Sequence, residues 1–434
     1  MKFLLKFNIR ILFVLFSIAT LPAQNINTVE KKILKSIEQN NIEAIQFLKD
    51  VVNINSGTMN HQGVKKVGDV FGKAFEDIGF QSNWYEMSDV NRSGHLFAET
   101  SGDRGKRVLL IGHLDTVFEE NSEFQEFKMI NDSIAHAPGG NDMKGGNVII
   151  LFALRALAEN NLLDNVQIIA AFTGDEEATG KPLTKSRYHL IEAGKRSDVA
   201  LGFENSTGFD NATIARRGSS DWRVDVTGVR AHSSEIFSDD IGAGAIFEMS
   251  RILNNFYTEV KGEDFLTFNP GILLGGTLVD YNQQQSEGNV FGKSNVVSQS
   301  AVVYGGLRFI SEDQKERARE KMRAIVRNSL PQTTAKVTFI DSYPAMGPTE
   351  GNLDLLDKFS QVSNDLGYPD VVAYDPLKRG AADVSFVAQY VDCMDGLGAM
   401  GNAAHTPEET VNLNTIEDLT KRAAILIYRL INEQ

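Results

Sequence analysis

Three short stretches place histidine and carboxylate side chains in patterns that can hold a metal: Gly112-His113-Leu114-Asp115, Gly139-Gly140-Asn141-Asp142-Met143-Lys144-Gly145-Gly146 and Phe172-Thr173-Gly174-Asp175-Glu176-Glu177. A His whose second ring nitrogen donates to a carboxylate is a standard metal-ligand arrangement, and Asp115 is spaced to be that partner for His113. In the second stretch, flanking glycines let the backbone turn sharply, so that a single carboxylate there, Asp142, could bridge two cations. The Gly-Lys-Ser/Thr ending of a phosphate loop is missing from it. In the third, adjacent carboxylates repel each other unless cations or protons offset them, so one could ligate a metal while another takes a proton from water. Glu204, in Leu201-Gly202-Phe203-Glu204-Asn205, and His405, in Asn402-Ala403-Ala404-His405-Thr406, are the fourth and fifth positions. Taken singly, each is the kind of polar residue found on a solvated turn. Together, two His and three carboxylates with a spare Glu make an all-nitrogen-and-oxygen donor set suited to two zinc-like ions.

The elements that must position these groups follow from the hydrophobic periodicity. Val108-Leu109-Leu110-Ile111 and Val166–Phe172 are short apolar runs of the kind buried strands carry, and the first two donors lie just beyond the former. Helical spacing covers residues 29–52, 64–78, 147–159 and 416–431, with strand-like pieces at 81–85, 95–99 and 199–202. Strands alternating with helices predict an α/β domain whose ligands gather beyond the carboxyl ends of the strands. From about Thr213 the pattern changes. Alternation over Asp221–Thr227, helical spacing over Gly242–Asn255, a strand over Ala301–Phe309 and a charged helix over Glu312–Asn328 predict a smaller α/β sandwich inserted into the first domain. Asp280–Lys293, rich in Asn, Gln, Gly and Ser, reads as an irregular loop. The division expected is residues 24–212 and 330–434 for the main α/β domain and 213–329 for the insertion.

The chain has 434 residues, 42% of them hydrophobic and 23% charged, a composition of globular proteins too large for one core. A net charge of −14 argues against gripping a nucleic-acid backbone, which needs clustered Lys and Arg. With Cys393 alone, no internal disulfide and no thiolate zinc site can form, so any metal is held by His and carboxylates. Lys2, Lys6 and Arg10 precede an apolar run, Ile11–Leu21, followed by Pro22-Ala23-Gln24, which describes a secretory signal peptide over residues 1–23. The expectation is an exported protein, periplasmic or secreted. Cleavage would leave it without stable membrane association and with three positive charges fewer.

The combined motifs resemble the co-catalytic zinc exopeptidases and deacylases, a family that includes glutamate carboxypeptidase, aminoacylase, acetylornithine deacetylase and succinyl-diaminopimelate desuccinylase. Phe203-Glu204, Gly228-Val229-Arg230-Ala231-His232-Ser233, His405-Thr406 and Asn53-Ile54-Asn55-Ser56-Gly57-Thr58 extend the likeness over nearly the whole chain after the leader, with glutamate carboxypeptidase closest in flavour. The resemblance implies a mixed central sheet flanked by helices, with an inserted lid and dimerisation domain. It also implies that His113 and Glu204 bind one zinc and His405 and Glu177 the other, with Asp142 bridging. Asp115 would orient His113, Glu176 would be the general base, and His232 would reach the scissile carbonyl, in the partner subunit's site of a homodimer. Asn295 and Arg308 match positions that contact the carboxylate end of the substrate.

Two segments depart from the family pattern. Asn295-Val296-Val297-Ser298 lacks the usual Pro, and Gly380-Ala381-Ala382-Asp383 is only loosely like the glycine-rich substrate loop; both concern substrate contacts. His61, His95, His136 and His189 match no ligand motif and read as surface or structural residues, and Trp84 and Trp222 as packing residues. The function expected is hydrolysis of an amide bond, as a glutamate-carboxypeptidase-like exopeptidase or else as an N-acyl amino acid deacylase or dipeptidase. A non-catalytic binding protein on the same fold would have no need for Glu176.

Overall fold

The computed structural model describes residues 25–283 and 285–433. The leader segment expected at residues 1–23 lies outside the described residues. Among the described residues, no helix is long and apolar enough to cross a membrane.

The central sheet has six strands in the order Gln81–Glu86, Gly94–Glu99, Val166–Thr173, Arg104–His113, Val199–Gly202 and Asp392–Met394. The first two strands run antiparallel, whereas the last four are mutually parallel, so the sheet is mixed. Its strands are apolar on both faces because both faces are covered. Val108, Leu110, Val166, Ile168, Ala170 and Phe172 belong to one core, and Leu109, Ile111, Ile169 and Ala171 to another. That is the two-residue alternation of a strand, spent on two hydrophobic layers. On the first face lie the helices Thr28–Val52, Gly145–Glu159 and Ile416–Leu430. Asn27 starts the first of these with a capping box, its side chain accepting from the Val29 and Glu30 amides while Glu30 reaches back to its own. Gly145–Glu159 is buried along most of its circumference, from Val148 to Leu157, because its neighbours enclose it.

A second, wholly antiparallel sheet has the order Thr267–Gly276, Ser300–Phe309, Gly218–Gly228 and Thr333–Asp341. Residues 218–228 alternate between buried and more exposed, and Trp222, Val224 and Val226 face the helices Gly244–Asn255 and Glu312–Arg327 through Met249, Ile252 and Met322. This sheet therefore has a core of its own.

The segment expected to be an irregular loop over 280–293 is instead largely a hairpin, Leu278–Asn282 paired antiparallel with Glu287–Phe291. All five residues of its second strand are exposed. Without a buried face the segment carries no hydrophobic alternation, and backbone pairing alone defines it.

Candidate metal centre

Three parallel strands bring the donors to one edge. His113 ends its strand level with Thr173. Ile111 is level with Gly202, so Glu204, two residues on, comes level with His113. Glu176 and Glu177 lie three and four residues past Thr173. Asp142 reaches the same edge from the turn before helix Gly145–Glu159. Gly139 there adopts φ +66°, a left-handed conformation that favours glycine. A Cβ on Gly146 would lie 2.0 Å from the Phe203 carbonyl oxygen, so only glycine lets the helix approach the Glu204 strand. His405 arrives from the far end of the chain, between residues 401–402 and 410–412.

The result is two three-donor groups with Asp142 common to both: His113, Asp142 and Glu204, and Asp142, Glu177 and His405. Within each, the potential ligand atoms lie within 4.8 Å of one another. His113 Nε2 lies 3.2 Å from Asp142 Oδ1 and 3.7 Å from Glu204 Oε1. His405 Nε2 lies 3.0 Å from Asp142 Oδ2 and 3.2 Å from Glu177 Oε2. Glu177 Oε1 is buried with no hydrogen-bond partner among the described residues, the signature of a carboxylate that lacks its counter-charge. The donor set, all nitrogen and oxygen, fits a pair of divalent cations.

Electrostatics say the same. Burial pushes the Glu204 carboxyl up to about 8, with Asp142 adding and His113 opposing. Hydrogen bonds to Asp142 and Glu177 raise His405 to about 11. Burial opposes protonation of His113, but Asp115 and Asp142 outweigh it and hold its pKa well above the usual range. Burial likewise disfavours the Asp142 carboxylate, yet His113 and His405 keep it ionised far into acid.

Glu176 belongs to neither donor group. Burial drives its carboxyl well above the ordinary range, assisted by Glu204, Asp383 and Glu177 and opposed by His113. Its loop is fixed by Asp115, whose Oδ1 and Oδ2 accept from the Glu176 and Glu177 amides at 3.0 and 3.1 Å. Thr58 Oγ1 donates to Asp115 Oδ2 at 2.7 Å. His113 Nδ1 lies 2.9 Å from the backbone carbonyl of Asp115 but 3.5 Å from its carboxylate. The Asp115 main chain is thus the nearer partner of the imidazole, and its carboxylate mainly ties down the Glu176 loop.

Three of the sequence-derived positions lie apart from this cluster. His232 is exposed and pairs with Ser234, its Nδ1 2.8 Å from Ser234 Oγ. Asn295 is beside it, since Ser233 donates its amide to the Asn295 carbonyl at 3.0 Å. Arg308 is exposed near the end of its strand in the second sheet.

Other supports had no signal in local sequence. Glu409 accepts from the amides of Asn141 and Asp142 at 2.9 and 3.1 Å, pinning the Asp142 turn. Arg187, fully buried, pairs with Asp175 and with Asp383, joining the Glu176 loop to the loop that carries Gly380-Ala381-Ala382-Asp383. Asp175 is therefore the structural member of the acidic run. Burial raises its pKa, but Arg187 and His95 together more than reverse this, leaving it at about 2. His95 is buried, with Gly174 donating its amide to Nδ1 at 3.0 Å.

A mixed sheet with clustered His and carboxylate donors at the ends of its parallel strands defines a metallohydrolase. A model of the peptidase family M20/M25/M40 matches residues 109–431, and the chain belongs to that family of metallopeptidases. It is 25% identical to carboxypeptidase G2 of Pseudomonas sp. (strain RS-16), over 89% of each chain. Among solved structures, aminopeptidase PepT from Bacillus cereus superposes with a TM-score of 0.70 at 16% identity, covering 90% of this chain and 99% of that one. A Bacillus subtilis protein described as a dinuclear metal-binding peptidase of the M20 family superposes at 0.61 and 13% identity, covering 92% and 100%.

Proposed function

We propose that this metallopeptidase is a two-zinc exopeptidase of the glutamate-carboxypeptidase type, hydrolysing an amide bond to release an amino acid. The observation that carries the reading is the pair of donor groups meeting at Asp142, with Glu176 beside them but outside both. In this assignment His113 and Glu204 hold one cation, Glu177 and His405 the other, and Asp142 both. Bound there, two divalent cations supply Lewis acidity that polarises a carbonyl and acidifies water. Glu176 accepts the proton of the attacking water and delivers it to the leaving nitrogen, a task suited to a carboxyl whose pKa burial has raised. His232, as a hydrogen-bond donor, would stabilise the oxyanion from the partner subunit of a homodimer formed through the second sheet. Asn295 and Arg308 would take the carboxylate end of the substrate. The similarity to carboxypeptidase G2 supports this choice over an N-acyl amino acid deacylase or dipeptidase. Export after removal of residues 1–23 belongs to the same proposal, as does the division at 213–329.

A screen of the zinc-loaded protein for released amine tests the substrate class. Cleavage of folyl-glutamate-like compounds supports the carboxypeptidase; cleavage of simple acetylated amino acids alone favours the deacylase.

Cation binding should also displace protons. Without metal, His405 at about 11, Glu204 at about 8 and the raised His113 all carry a proton near pH 7, whereas ligands must be deprotonated. Calorimetric titration with zinc in buffers of different ionisation enthalpy is expected to show net release of about two or more protons, and weaker binding as the pH falls. Heats that do not depend on the buffer would contradict the assignment.

A further inference from the structure

A line of arginines runs from the second sheet to the metal cluster. Arg308 is level with Thr267 on the neighbouring strand, and Arg217 donates Nη1 to Thr267 Oγ1 at 3.0 Å. Arg216 turns the other way. It is 3% exposed and donates Nε to Asp395 Oδ2 at 2.6 Å and Nη1 to the Gly380 carbonyl at 2.8 Å. Arg379, adjacent to that glycine, grips Asn205 with both Nη atoms, each at 3.1 Å, one to the side-chain and one to the main-chain oxygen. Asn205 directly follows Glu204.

Of the four, Arg216 has an ion-pair partner in Asp395. Among the described residues Arg217, Arg308 and Arg379 have none, in a chain with 57 acidic side chains against 43 basic ones. The Nε atoms of Arg217 and Arg379 are buried without a hydrogen-bond partner among the described residues. Leaving such charged donors unpaired is costly. Burial, with the nearness of Arg216, lowers Arg379 to about 10, and burial, with Arg308, lowers Arg217. Holding Asn205 in place needs no charge. Positive charge without an ion-pair partner, on half-buried side chains whose Nε atoms are buried, makes sense when an anion from outside completes it. It also lies in two places, at Arg217 with Arg308 and at Arg379 beside Glu204.

We propose that Arg217 and Arg379 are specificity-determining residues, each presenting a guanidinium N–H to one carboxylate of the substrate, so that the cleft selects a dianionic N-acyl or peptidyl acidic amino acid. This rests on the hydrolytic reading of the neighbouring donor cluster.

The test uses the full, zinc-loaded chain with N-benzoyl-glutamate and its neutral-side-chain counterpart N-benzoyl-glutamine. Wild type is expected to prefer the glutamate compound. Arg217→Gln and Arg379→Gln each lower kcat/KM on it about tenfold or more, chiefly through KM; on the glutamine compound, which keeps only the α-carboxylate, one variant loses about as much and the other about threefold at most. Arg379→Lys, which keeps the charge, recovers part of the preference. Equal losses on both compounds in both variants would mark the arginines as structural and overturn the proposal. If wild type cleaves neither compound, the exopeptidase reading fails while the arginines stay testable by calorimetry with glutarate and its monoamide. Tighter binding of glutarate, lost in both Gln variants, supports the proposal; equal binding of the two compounds by wild type overturns it.

Discussion

Replacing Glu176 with Ala is expected to lower kcat by about 10²–10⁴-fold, the usual contribution of a positioned general base, while the bound zinc stays at its wild-type level. The expectation follows from how Glu176 is held. Its amide donates to Asp115 Oδ1 at 3.0 Å and its carbonyl accepts from Tyr343 Oη at 2.7 Å. Both are main-chain contacts that survive loss of the carboxyl. Neither three-donor group includes Glu176, so truncation removes a proton acceptor and leaves the ligands in place. Steady-state kinetics together with metal analysis of the same preparation checks this. Undiminished turnover would refute the assigned base, and loss of metal along with turnover would make Glu176 a ligand.

The second large effect concerns folding. Arg187→Ala is expected to destabilise the protein by about 3–5 kcal/mol, the range for removing one partner of a buried pair, as read from the midpoint of urea unfolding at pH 7. Arg187 is completely buried between Asp175 and Asp383, so its loss strands two carboxylates away from water. The pH dependence has a definite sign. Asp175 titrates at about 2 in the fold against an ordinary 3.8, so its ionised form stabilises the native state above the ordinary value. That contribution fades as the pH falls through about 2. In the variant burial acts on Asp175 with less opposition, and the gap between wild type and variant should narrow in acid. A gap that does not change from neutral to strongly acid pH would count against the pairing.

Much of the centre was legible because its chemistry is local. An apolar run followed within five residues by His113 and Asp115, or by Asp175-Glu176-Glu177, encodes both a strand and what sits at its end, and parallel pairing then brings the ends together. His405 was found by type and motif, although the contact with Asp142 spans most of the chain. What stayed hidden depends on partners far apart in sequence or on faces that bury nothing. Arg187 and Asp383 are 196 positions apart, and no spacing rule links them. Glu409 looks like any surface acid until its carboxylate is found under the Asp142 turn. His95 lies near the start of a strand, where its side chain could equally face water, and only the fold buries it. The hairpin at 278–291 exposes most of its side chains and so left no periodic trace. Arg217 and Arg379 show the same limit, since an unpaired guanidinium is recognisable only once its surroundings are known.

A two-cation centre requires Asp142 to join both positions. Zinc stoichiometry of the purified full chain, with and without Asp142→Ala, tests this most directly. Two equivalents in the wild-type chain, falling to one or none when the shared carboxylate is removed, is the result expected. A wild-type chain that takes up no zinc, or a variant that still holds both ions as tightly, would contradict it.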